Sequence, residues 1–158
     1  MKNSLKKYPN WKRNLYILWF GTFFVGVASS EVTPFLSLYT EELGHFSNAQ
    51  VNLYAGIAFS ATFLMTAIVS PIWGKLADRV GRKPMLLRAA FGMAVIQALT
   101  AFVTQVWQLI LLRLLMGLFN GYIGNANALV AKDTPQQESG KALGFITTGF
   151  TSGALLGP

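Results

Sequence analysis

Apolar residues run along this chain in long blocks separated by short polar stretches, and the blocks are too long to be strands. A helix needs about 20 apolar residues to cross a hydrocarbon core about 30 Å thick. Residues 15–39 form one such block with a single charge, Glu31, and residues 51–73 form a second with none. A third run is uncharged over 89–112, passes Arg113 and continues to 131, which is too long for one crossing. The polar step Thr104-Gln105-Val106-Trp107-Gln108 divides it, with Trp107 placed as an interfacial anchor. A last block opens near Lys141 and runs to Pro158. The pattern predicts an all-α membrane protein with spans at about 15–39, 51–73, 85–104, 107–131 and 141–158. Together they make one incomplete bundle over residues 1–158.

Composition agrees, since 53% hydrophobic residues, 12% charged residues and a mean hydropathy of +0.43 describe a chain too poor in charge for an ordinary soluble domain. The net charge of +7 would suggest nucleic-acid binding in a soluble protein, but here the placement of the bases decides. Every Lys and Arg except Arg113 falls before the first span, in or beside the loop between the second and third, or around the end of the fourth. The opposite loops carry only Glu41, Glu42 and His45. The bases therefore mark the cytoplasmic side, the N-terminus is expected there, and the protein is expected in the cell membrane as a multi-pass protein. A cleaved signal peptide does not fit the first block, whose apolar region is too long. The absence of cysteine excludes disulfides and thiolate chemistry, and one histidine makes no metal site. No nucleophile, base and third partner assemble in the spans, so no enzyme and no cofactor are expected.

The densest charge lies in Gly74-Lys75-Leu76-Ala77-Asp78-Arg79-Val80-Gly81-Arg82-Lys83-Pro84-Met85-Leu86, between the second and third spans. By residue type alone it reads as a loop in which Gly74 and Gly81 permit tight turning or close approach. Asp78 is a lone acid among bases, able to pair with one of them or to meet a helix N-terminus. A solvated loop that only sets topology is the plainer reading. The pattern Gly-x-Leu-Ala-Asp-Arg-x-Gly-Arg-Lys, however, resembles the loop between helices two and three of the major facilitator superfamily of secondary transporters.

Two further stretches resemble the drug:proton antiporters of that superfamily, the 12-helix branch that includes Gram-positive multidrug efflux proteins. In span four, Leu109-x-x-x-Arg113-x-x-x-Gly117 looks like their helix-four motif. In span five, Gly144, Gly153, Gly157 and Pro158 match the spacing of their glycine-rich helix-five motif. Val32-Thr33-Pro34-Phe35-Leu36 is loosely similar to their proline-containing first helix. The segment from Ala131 to Lys141 resembles the superfamily's inner end of helix four, departing from it at Ser139, where an arginine is common. The resemblance implies an inner-gate charge network of Asp78, Arg82 and Asp133, with Gly74, Arg79, Gly81 and Lys83 in the same gate loop.

Each motif also has a direct physical reading. Arg113 lies six residues past Trp107, about 9 Å into the membrane at 1.5 Å per residue, where a cation is costly and usually paired or functional. Glu31 is the only acid within a span, about 24 Å along from Leu15. It either shares a cavity with Arg113, so that its protonation changes what Arg113 can hold, or snorkels to the outer surface. Gly149, Gly153 and Gly157 recur every four residues and form a stripe open to close helix approach, while Pro158 removes a backbone donor. Gly117 and Gly121 add a shorter stripe beside Arg113. Glu31, Phe23, Asn120 and Asn127 offer polar handles and an apolar wall for a substrate cavity.

The function implied is a secondary active transporter that exports lipophilic or cationic drugs in exchange for protons by alternating access. Its expected partners are drugs, protons and the bilayer, with no nucleic acid, and it is expected to act as a monomer. The alternatives are an importer or exporter of sugars or metabolites, or a non-transporting receptor or scaffold of the same fold. Five spans are one short of a six-helix half, so the chain is expected to be the N-terminal part of a 6+6 helix fold.

Overall fold

A computed structural model describes residues 10–30, 32–44 and 46–157, the side chains of 32–34 excepted. Glu31, His45, Pro158 and the N-terminal Lys2, Lys6 and Lys7 lie outside the described residues. Among the described residues all regular structure is helical: α1 (Trp11–Ser30), α2 (Val32–Glu42), α3 (Asn48–Val80), α4 (Arg82–Thr100), α5 (Val106–Phe119), α6 (Tyr122–Asp133) and α7 (Ser139–Leu156). By length and apolarity, Asn48–Val80 and Val106–Asp133, the latter taken across its break, can each cross a membrane. Trp11–Ser30 with Phe35–Glu42 passes the same test as a pair. Helix α4 is diluted by Lys83 and Arg88, and α7 by its glycines, serines and threonines, so neither passes on composition alone.

The chain forms two compact units, one of residues to Val32 with those from Tyr122 onward, the other of Thr33–Gly121. In the first unit α1 lies along α7, with Leu18, Thr22 and Gly26 buried on one side and Ala142, Ile146, Gly149 and Gly153 on the other. In the second, α3 lies along α5, and α4 packs on both. Its core joins Leu36, Ala55, Ala58, Val103 and Leu109, and the Tyr39 hydroxyl donates to the Thr100 carbonyl at 2.9 Å.

Two expectations change here. The charged stretch between spans two and three is not a loop. Helix α3 starts with a capping box, Ser47 Oγ accepting from Gln50 N at 3.4 Å and Gln50 Oε1 accepting from Ser47 N at 3.0 Å. It then runs 33 residues, about 50 Å at 1.5 Å per residue, which overshoots the hydrocarbon. Lys75, Leu76, Ala77 and Arg79 are good helix formers, and nothing between Gly74 and Val80 stops the helix. The break is Gly81 alone, at φ 96° and ψ 157°, a region open essentially to glycine, and α4 begins at the next residue. Span four, expected as one helix, is interrupted at Asn120 and Gly121, where Gly121 has φ 118°. Gly121 thus belongs to a break, and not to a small-residue stripe with Gly117.

Candidate functional site

The charged elbow is built from two helix ends. Asp78, in the last turns of α3, accepts from Arg82 Nη2 at 2.6 Å across the Gly81 break. Asp78 is exposed, so the pair is solvated and contributes at most about 1 kcal/mol. Lys75 and Arg79 point elsewhere, lining a shallow pocket of about 320 Å³ with Pro71, Ile72 and Leu76. Lys83 is exposed on the first turn of α4. Gly74 sits within α3, where a Cβ would meet nothing within 4 Å among the described residues, so neither a turn nor a close approach among them accounts for glycine there. Asp133 closes α6 in the other compact unit, half-buried.

Leu109, Arg113 and Gly117 share one buried face of α5, as their four-residue spacing dictates. A Cβ on Gly117 would strike the Thr62 carbonyl oxygen and lie 2.9 Å from Met65 Cβ, so glycine lets α3 and α5 touch backbone to backbone. Arg113 is 7% exposed, and its Nε is buried with no hydrogen-bond partner among the described residues. Its carbonyl accepts from Thr62 Oγ1 at 2.9 Å. A guanidinium so placed holds an unused donor inside the bundle, which is costly unless an anion or water answers it. Asn120 is occupied at both ends: Nδ2 donates to Thr66 Oγ1 at 3.3 Å, and Oδ1 accepts from Gly121 N at 2.8 Å. Its amide therefore ties down the helix break.

In the other unit, the span-five glycines face α1. A Cβ on Gly149 would come 2.8 Å from the Trp19 carbonyl oxygen, one on Gly153 would strike the Phe23 carbonyl, and one on Gly157 would strike Ser30 Oγ and lie 2.7 Å from Val27 O. Gly26 answers from α1, where a Cβ would strike the Phe150 carbonyl. Gly144, part of the expected motif, stands apart, with nothing among the described residues within 4 Å of its Cβ position. Phe23 stacks on Trp19 with ring centroids 5.8 Å apart, and Trp19 Nε1 donates to Thr148 Oγ1 at 3.1 Å. Asn127 Oδ1 is buried without a partner among the described residues.

Several participants were not singled out by sequence reasoning. Thr62, Thr66 and Trp73 form one row of α3 that reaches α5, and Arg88 stacks on Trp73. Their signal was a spacing of four and seven residues on one helix face, hidden because threonine and tryptophan are ordinary in spans.

The molecule is thus a helical membrane protein with close, small-residue helix contacts, a charged elbow at a helix turn and an intramembrane arginine. The chain belongs to the Major Facilitator Superfamily, whose family model matches residues 18–158. It is similar to proteins named Multidrug resistance protein MdtG, with 54% identity over 149 residues in Proteus mirabilis (strain HI4320), 56% in Dickeya zeae (strain Ech586) and 54% in Escherichia fergusonii. Each match covers 94% of this chain and 36% or 37% of the relative, so the chain spans little more than a third of their length.

Proposed function

We propose that this chain is part of a secondary active transporter that exports lipophilic or cationic drugs in exchange for protons. The observation that carries the reading is Arg113, a buried cation with an unused Nε donor at membrane depth, in a chain more than half identical to proteins named for multidrug resistance. A proton-coupled exchanger needs a group whose partner changes with protonation, and a buried guanidinium whose Nε has no partner among the described residues can serve as one. Glu31 is the acid we assign to it, on the sequence reading alone. The cycle is alternating access in the cell membrane, with the N-terminus cytoplasmic, by a monomer. The charged elbow of Asp78, Arg82 and its neighbours is assigned to the inner gate, and Asp133 joins that assignment by the resemblance alone. Phe23 and Asn127 remain candidates for the substrate cavity, whereas Asn120 serves the helix break first.

The test is efflux of a fluorescent lipophilic cation from vesicles holding the full-length protein. Expected is transport that needs the proton gradient, stops when an ionophore collapses it, and falls at least about tenfold in Arg113→Leu and Glu31→Gln. Undiminished efflux after collapse removes proton coupling, and undiminished efflux in both variants removes the assignment of Arg113 and Glu31. Gradient-dependent movement of a sugar with no movement of any cation would replace drug export altogether.

A further inference from the structure

Where α5 stops at Phe119, its last carbonyls lose the amides that a continuous helix would supply. Unsatisfied backbone at membrane depth is tolerated only where neighbouring groups answer it. Met116 O still accepts from Asn120 N at 3.0 Å. Gly117 O and Leu118 O would be answered in an unbroken helix by residues 121 and 122. Here α3 answers them instead: Trp73 Nε1 donates to Leu118 O at 2.9 Å, and Thr66 Oγ1 reaches Gly117 O at 3.2 Å, sharing its one proton with the Thr62 carbonyl at 2.8 Å. The break is therefore a built element, capped from the side.

Arg88 completes that cap. Counted from Arg82 it lies six residues, about 9 Å, into α4. A base that only marked the cytoplasmic side would extend its head toward water. Instead the Arg88 guanidinium carbon sits 3.6 Å from the centre of the Trp73 ring and 5.6 Å from that of Phe119. Its Nε and Nη1 are buried with no hydrogen-bond partner among the described residues, so this cation is spent on stacking rather than on an ion pair. One turn further, Gly92 leaves room for the Phe119 ring, which any Cβ there would strike. Arg88 and Gly92 thus present one face of α4 to Trp73 of α3 and to Phe119 at the end of α5.

The geometry points to Arg88 as a positioning residue that, stacked on Trp73, holds the indole N–H on the Leu118 carbonyl and keeps the Asn120–Gly121 break closed. The planar guanidinium is what suits it: a lysine ammonium is a compact, strongly hydrated charge that does not stack in this way. The inference concerns the backbone at the break and does not depend on what is transported; only its effect on turnover rests on the transporter reading.

The experiment is amide hydrogen exchange on the full-length protein in lipid nanodiscs, followed in peptides covering residues 116–124. Expected is exchange about tenfold faster in Arg88→Leu, Arg88→Lys and Trp73→Phe alike, with peptides from the start of α3 unchanged. The double variant Arg88→Leu with Trp73→Phe should be no faster than either alone, because both act through one N–H donor. Should Arg88→Leu prove poorly folded, Arg88→Lys and Trp73→Phe decide. Unchanged exchange in Arg88→Lys, or additive effects in the double variant, overturns the proposal. In vesicles the same variants should lower the maximal efflux rate while leaving half-saturation unchanged. Loss of gradient-coupled efflux in the unmodified protein would sink the functional reading and leave the exchange result standing.

Discussion

The α1–α7 and α3–α5 contacts solve the same problem by different means. Lipid is as apolar as leucine, so hydrophobicity does not hold two helices together inside a membrane; close packing and hydrogen bonds must. Between α1 and α7 the means is shape: Gly149, Gly153 and Gly157 meet the backbone of Trp19, Phe23 and Val27, and Gly26 returns the contact at Phe150. Two polar contacts are added to that shape, Trp19 Nε1 donating to Thr148 Oγ1 at 3.1 Å and Thr22 Oγ1 reaching the Ile146 carbonyl at 3.4 Å. Between α3 and α5 one glycine, Gly117, brings the helices together, and Thr62, Thr66 and Trp73 then fasten them through carbonyls. A contact made of shape fails when volume is added. One made of polar bonds loses strength bond by bond, and it also tolerates the buried Arg113 beside it.

The largest effect is expected where shape has no slack. Gly153→Leu places its first side-chain carbon against the Phe23 carbonyl, a rigid atom that cannot turn aside, and should cost about 3 kcal/mol or more. Gly144→Leu, on the same helix but with no neighbour among the described residues, should change thermal stability in detergent by less than about 0.5 kcal/mol. Equal losses in the two would show that the α1–α7 contact is not steric.

That contrast also measures how far the chain could be read before its fold was known. The four-residue recurrence of Gly149, Gly153 and Gly157 was legible, because helical periodicity alone puts them on one face. The place of Gly144 was not, since a motif spacing says nothing about what lies opposite. Charge at residues 74–86 was taken for a loop, and charge does not unwind a helix. Gly81 was the one residue able to break it, and only its positive φ distinguishes it from Gly74. The interruption at Asn120 was hidden because the groups that stabilise it, Thr66 and Trp73, lie 54 and 47 positions earlier in the chain. Arg113 was legible from burial cost alone, while Arg88 was counted as one more cytoplasmic base.

Next in size is Gly81→Ala. A residue with a Cβ strains at φ 96° and ψ 157°, so the elbow should lose about 2 kcal/mol even though a Cβ there meets only Pro84 Cδ, at 3.8 Å. Gly74→Ala, with the same free space and ordinary helical backbone, should be neutral or slightly stabilising. Reversible thermal unfolding of the two variants side by side separates conformation from crowding. Thr62→Val comes lower, at about 1 kcal/mol, since it removes one interhelical bond to the Arg113 carbonyl and keeps the volume. If Thr62→Val cost as much as Gly153→Leu, the α3–α5 contact would have to be one of shape as well.

The smallest effect on stability is expected at a polar contact that is short but exposed. Arg82 and Asp78 meet at 2.6 Å, yet Asp78 is 69% exposed and the two residues are four apart across the elbow. Water already solvates both charges, so Arg82→Gln should cost less than about 1 kcal/mol, and less still in high salt. Thr62 is the useful counterpart, because its bond lies between helices and away from the charged elbow, so its cost should not vary with salt. Unfolding both variants at low and high ionic strength checks this directly. A large, salt-independent loss in Arg82→Gln would mean that the elbow is held by a shielded charge, and would move it from the solvated end of α3 to the same footing as the α3–α5 contact.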